Sequence, residues 1–243
     1  MMILAIETSG AVGSVAVSDD RAILASHTFG QGARHARNVM PAIDEVIRRA
    51  GLTKEQIEAV AVSAGPGSFT GLRVGITCAM TLAWALGGRA AAVPSLAVMA
   101  QNVDPSAHGG CRHTCPIVDA RRDKVYGTVF EWTGAEWADT TDVLLDGPRR
   151  LADMLPPGTL IFGSGVRAYP QVFVDPQGSE DGRFPVGQVE LEAARAEAVA
   201  ELGLRLIRAG QDVDPMKLAP RYYRLTEPEE KLAFAPGPTQ EEA

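Results

Sequence analysis

Short runs of branched apolar residues at 3–6, 12–17 and 22–29 open the chain, separated by Ser-Gly and Asp-Asp turn signals. They predict a three-strand meander. From residue 35 the period changes. Val39, Ile43, Val46 and Ile47 recur at helical spacing up to a stop at Gly51, and Pro41 predicts a kink or a late start. Residues 57–62 read as a strand, SAGPGSFTG from Ser63 as a turn segment, and 72–86 as a helix capped by Thr70. A strand over 90–93 and a helix over 95–103 complete a mixed α/β unit.

Asp, Pro, Ser and Gly crowd residues 104–110 and mark a boundary. Beyond it, strand patterns at 115–119, 125–132 and 136–143 repeat the meander, followed by a short helix over 149–155 and a strand over 159–162. Residues 176–185 read as a loop. The pattern over 191–207 is amphipathic, with Leu191, Ala194, Ala198, Leu202 and Leu206 on one face. The expected organisation is a first lobe over 1–104, a smaller second lobe over 105–189, a C-terminal helix and segment over 190–225 packing back on a lobe, and a disordered tail over 226–243.

Composition narrows the function. Apolar residues at 46% and charged residues at 22% are those of a folded domain. A net charge of −7 repels a phosphate backbone, so the chain alone is a poor ligand for tRNA. The three cysteines make no disulfide framework, no secretory signal opens the chain, and the longest apolar stretch, 74–88, falls short of a membrane span. A cytoplasmic protein is expected.

Four segments carry a resemblance: ILAIETS at the start, SAGPGSFTGLRVG from Ser63, DARRDKVY from Asp119, and PRYYR from Pro220. Together they resemble the TsaB (YeaZ) family. The resemblance covers the chain up to the tail and implies two lobes of the actin, hexokinase and Hsp70 (ribonuclease H-like) type, the second reduced. It also implies a non-catalytic subunit of the machinery that forms threonylcarbamoyladenosine on tRNA. Such a subunit supports a TsaD-type catalytic subunit together with a TsaE-type ATPase, is a homodimer when alone, and meets tRNA only indirectly. An active ATPase or small-molecule kinase of the same fold, or a glycoprotease-like hydrolase, is the alternative. TsaD-type proteins carry a His-rich metal motif, and this chain has no HxxxH.

Glu7, Thr8 and Ser9 end the first strand where this fold places a phosphate-facing turn, so Glu7 either holds magnesium or braces a tight connection. Gly65 and Gly67 suggest a phosphate cradle, without P-loop spacing or its lysine. No intrinsic cofactor is expected, but ATP or ADP with magnesium at a subunit interface is compatible with these residues. Gly71, Gly75, Ala79 and Ala83 fall four apart and leave one helix stripe nearly bare. With the resemblance, that stripe is expected to dock a partner, over an interface of His35, Val39, Ser68, Phe69, Thr70, Gly71, Leu72, Gly75 and Ala79. His108, Cys111, His113 and Cys115 have ligand chemistry but no complementary pair, so no metal is expected. Asp119 and Arg121 either grip a ligand or pair across a turn, and Gly163, Ser164 and Gly165 sit where the fold contacts adenosine.

Overall fold

The computed structural model describes residues 1–31, 35–174 and 184–223. The loop expected over 176–185 lies largely outside the described residues, and the tail beyond 226 entirely so. The opening meander is β1 (Ile3–Glu7), β2 (Val12–Ser18) and β3 (Ile23–Gln31), and α1 (His35–Arg49) follows. Then come β4 (Ala59–Gly65), α2 (Phe69–Leu86), β5 (Arg89–Pro94) and α3 (Ser95–Ala100). The strands form one sheet in the order β3-β2-β1-β4-β5. Pairing is antiparallel from β3 to β1 and parallel from β1 to β5. This mixed sheet is the ribonuclease H-like arrangement.

Alternation along the strands explains its two covers. Leu4, Ile6, Val60 and Val62 face α1 and α2, among Val39, Ile43, Leu72 and Ile76. Ile3, Ala5, Ala59 and Ala61 face the opposite way, against α3 and α7 (Ala196–Arg208). A sheet buried on both faces needs near-continuous apolar strands, which is how β1 and β4 read. The alanines let α7 approach closely, since a Cβ on Gly203 would collide with the Ala61 side chain. The last helix thus packs on the first sheet. It begins at Ala196 rather than 191, after a 3-10 turn at Val189–Glu192, and Leu202 and Leu206 are only half-buried. Val199, Ala200, Gly203 and Ile207 make its buried stripe.

The second sheet is built on β6 (His113–Arg121), with β7 (Lys124–Gly127), β8 (Phe130–Trp132), β9 (Trp137–Asp139), β10 (Leu144–Asp146) and β11 (Leu160–Phe162). The one strand expected over 125–132 is two, because β6 changes partner along its length. Residues 117–121 pair with β7, while His113 and Thr114 pair with β8. The helices α4 (Pro148–Met154), α5 (Ser164–Ala168) and α6 (Pro170–Phe173) cover this sheet around Cys115, Ile117, Leu151, Ile161 and Phe173. Phe130, Trp137 and Phe162 join the core cluster of Leu96, Met99 and Val103, and Trp137 donates its indole N–H to the Val103 carbonyl at 3.0 Å. One core therefore runs across the boundary read at 104.

Two helices differ from their expected form. The first runs from His35 through Pro41, whose exposed position tolerates the missing N–H, so there is no late start. The second begins at Phe69, three residues before the expected start. Ser68 caps it, its hydroxyl accepting from the Gly71 N–H at 3.2 Å, and Thr70 is already helical. At 18 residues α2 is long and apolar enough to cross a membrane by length and composition, more than the stretch at 74–88 suggested. One of its faces is committed to the sheet instead.

Candidate functional site

The first strand delivers Glu7 into the protein interior, fully buried. Its carboxylate accepts from the Ser9 N–H at 2.5 Å and the Ser9 hydroxyl at 2.6 Å through one oxygen, and from the Ser63 hydroxyl on β4 through the other. Burial raises the carboxyl above its ordinary range, and the bonds from Ser63 and Ser9 pull the other way. Both oxygens are occupied, so Glu7 does not fit a magnesium site. What it braces is the connection between β1 and β4.

The Gly65 and Gly67 turn is closed in the same manner. Ser68 N–H donates to the Ser9 carbonyl at 2.7 Å, and a Cβ on Gly67 would lie 2.5 Å from that oxygen. Gly65 has φ +115° and donates to the Ser95 hydroxyl at 3.1 Å, and a Cβ there would press on the Arg221 carbonyl of the C-terminal segment. The N–H groups of Gly65, Ser68 and Gly71 that a phosphate would need are already spent on the protein. Beyond this seam, a cavity of about 420 Å³ lies between the lobes, lined by Ser9, Gly10 and Gly67 on one side and Val118, Ser164 and Arg167 on the other. Arg167 pairs with Glu192 at its rim, and burial raises the Glu192 carboxyl in spite of that partner.

The small-residue stripe of α2 points inward, which corrects the docking face expected of it. Gly71, Gly75, Ala79 and Ala83 are buried against β1 and β4, and side chains at Gly71 and Gly75 would run into Thr8. Thr8 donates its hydroxyl to the Gly71 carbonyl at 2.8 Å. The bare stripe exists because a strand end lies where side chains would be. His35, Val39 and Leu72, also expected at an interface, are buried, and His35 bonds the Gly10 carbonyl at 3.1 Å. Ser68, Phe69 and Thr70 are exposed.

Three exposed groups were missed in the sequence. Arg73 lies over the Phe69 ring at 3.8 Å and donates to the Tyr222 hydroxyl at 3.0 Å, and Phe69 and Tyr222 stack at 5.5 Å. Farther along the helix Trp84 is 65% exposed. Arg73 and Trp84 are eleven residues apart, about three helical turns, so they share the side of the helix away from the buried stripe, which the 3.6-residue period alone would have displayed.

The remaining candidates stay apart. Asp119 accepts from the Arg121 N–H at 2.8 Å and pairs with its guanidinium at 3.1 Å, closing a turn in which Arg121, Arg122 and Asp123 all have positive φ. Of the two readings of that pair, the local one describes the geometry. Gly163 and Gly165 press on Ile117, so they serve the packing of α5 on β6. Cys115 is buried in the second-lobe core, its thiol pushed up to about 12 by burial, while His108 bonds the Asp104 carbonyl at 2.8 Å. Among the described residues, no three His, Cys, Asp or Glu side chains gather as a metal site.

The sequence model of the TsaD family, tRNA N6-adenosine threonylcarbamoyltransferase, matches residues 23–174, more than half of the chain. The tRNA threonylcarbamoyladenosine biosynthesis protein TsaB of Bacillus subtilis is 29% identical over 95% of this chain and 97% of its own length. TsaB of Escherichia coli is 28% identical over 92% and 95%. The solved structure of YeaZ from Pseudomonas aeruginosa superposes with a TM-score of 0.77 at 25% identity, over 91% of this chain and 99% of that one. The chain belongs to this family, in its TsaB (YeaZ) branch. Membership explains why both lobes and the C-terminal segment carry family motifs, and in this chain the Gly65 to Gly71 turn is tied down by Ser9 and Thr8.

Proposed function

We propose that this TsaB-family chain is a supporting subunit in the formation of threonylcarbamoyladenosine on tRNA, with no chemistry of its own, and that it acts by holding a TsaD-type catalytic subunit. The outward side of α2 carries the reading. It leaves Phe69 49% and Trp84 65% exposed on a helix that is otherwise apolar. Large aromatic side chains left exposed on the outward side of a helix whose other side is buried mark a contact surface. Aromatic anchors flanked by an arginine are the residue types that dominate protein interfaces.

The same surface would serve a second copy when the partner is absent, so homodimer and heterodimer compete for it. A TsaE-type ATPase then joins the pair, and tRNA is met through the catalytic subunit, in the cytoplasm. Any nucleotide held at the subunit contact draws phosphate ligands from the partner, because the Gly65 and Ser68 N–H groups of the turn are already bonded within the protein. The test is co-purification of a TsaD-type subunit with Phe69→Glu and Trp84→Glu variants of unchanged melting temperature. Affinity should fall by about tenfold or more for each. Binding at full strength in the double variant removes α2 from the interface.

A further inference from the structure

A second cavity, of about 600 Å³, lies where α3, the β8–β9 ladder and the C-terminal segment converge. Its apolar wall comes from Leu96 and Phe130, and its polar lining from Thr128, Asp139, Asp142 and Arg221. Thr128 is 3% exposed, and its hydroxyl, without a hydrogen-bond partner, is sealed from the cavity. Around it, the carboxylates of Asp139 and Asp142 and the guanidinium of Arg221 form no ion pair among the described residues. Charges of both signs therefore share one cavity without neutralising one another.

The walls are fixed by the fold. Asp139 stands opposite Phe130 in the β8–β9 register. The segment bearing Asp142 is clamped to Val129, whose N–H donates to the Thr141 hydroxyl at 3.2 Å and whose carbonyl accepts from the Thr140 hydroxyl at 3.0 Å. Arg221 is held through its own N–H, which donates to the Ala64 carbonyl at 2.7 Å. Such a site is organised before any ligand arrives.

We propose that this cavity binds a free α-amino acid with an apolar side chain. Asp139 and Asp142 take the ammonium, Arg221 takes the carboxylate, and the side chain lies on Leu96 and Phe130. A simple cation would leave Arg221 facing it with like charge, and a simple anion would face two carboxylates. A zwitterion satisfies all three charges, and the volume is within the range of small-molecule sites.

Calorimetric titration of the full chain with L-leucine and L-phenylalanine tests this, with isoamylamine and 4-methylpentanoate as analogues that each lack one charge. Saturable binding of the amino acids is expected, with each analogue weaker by about tenfold or more. Arg221→Gln should erase the advantage of leucine over isoamylamine. The Asp139→Asn, Asp142→Asn pair should erase its advantage over 4-methylpentanoate. No saturable heat with either amino acid at millimolar concentrations overturns the proposal. So does isoamylamine binding as well as leucine, which would make the cavity a receptor for a basic side chain.

Discussion

Thr8 and Gly71 are locked together across the seam between β1 and α2. The Thr8 hydroxyl donates to the Gly71 carbonyl at 2.8 Å, and the Thr8 carbonyl fills the space of a side chain at 71. Gly71→Ala should therefore destabilise the protein by about 3 kcal/mol, at the upper end for overpacking, because the obstacle is backbone. Gly75→Leu should do the same against Thr8 and Val62. Urea midpoints measure both, and a Gly75→Leu protein of wild-type stability would mean that the stripe faces outward after all.

The capping assignment separates two serine and threonine hydroxyls only two positions apart. Ser68→Ala removes the acceptor for the Gly71 N–H and should cost about 1 kcal/mol. Thr70→Ala, inside the exposed first turn, should fall within about 0.5 kcal/mol of wild type. The reverse order of the two thermal shifts would return the cap to Thr70.

Glu7 gives the protein an unusual pH response. Its folded-state pKa is raised by burial, so between the unfolded value and the folded one the native state binds more protons than the unfolded chain. Its contribution to stability therefore rises as pH falls from the raised folded value toward the ordinary value of 4.5, and it is lost as pH climbs back through that window. Glu7→Gln should flatten this slope, leaving the conventional acid loss from exposed carboxylates. Glu7→Ala strands the Ser9 and Ser63 hydroxyls and should cost about 2–4 kcal/mol, most at the acid end of that window. Parallel stability profiles for wild type and Glu7→Gln between pH 4 and 8 would refute the coupling.

The cysteines should react in two classes. Cys115 is fully buried with its thiol pushed up to about 12, while Cys78 and Cys111 are partly exposed and only raised. An aromatic disulfide reagent at mildly alkaline pH should titrate Cys78 and Cys111 slowly in the native protein and reach Cys115 only on unfolding. Fast native modification of Cys115 would contradict its placement in the second-lobe core.

The first sheet could be read from the sequence because β1 and β4 are buried on both faces and need unbroken apolar runs, and because α1 shows its buried side as Val39, Ile43, Val46 and Ile47. The direction of the Gly71 to Ala83 stripe could not. Small residues four apart fit a strand end inside the lobe as well as a helix outside it, and only the position of Thr8 decides. Ser63 was a readable signal that passed unused, a hydroxyl in the apolar run AVAVSAG whose partner is Glu7. The split between β7 and β8 was hidden because KVYGTVFEW reads as one unbroken strand pattern, and what separates the two is the change of partner along β6. The second cavity draws residues from three separate stretches of chain, 94–97, 128–143 and 221–223, so no local pattern announces it.

The placement of α7 reaches into how the chain is made. Residues 196–208 cover one side of a sheet whose strands end at residue 94. During synthesis at about 5–20 residues per second, the nascent first sheet waits several seconds with Ile3, Ala5 and Ala61 uncovered, until the ribosome has delivered the whole second lobe and the helix behind it. A message truncated before that helix would yield a product with an open apolar sheet, a substrate for chaperones and proteases rather than a shorter working subunit.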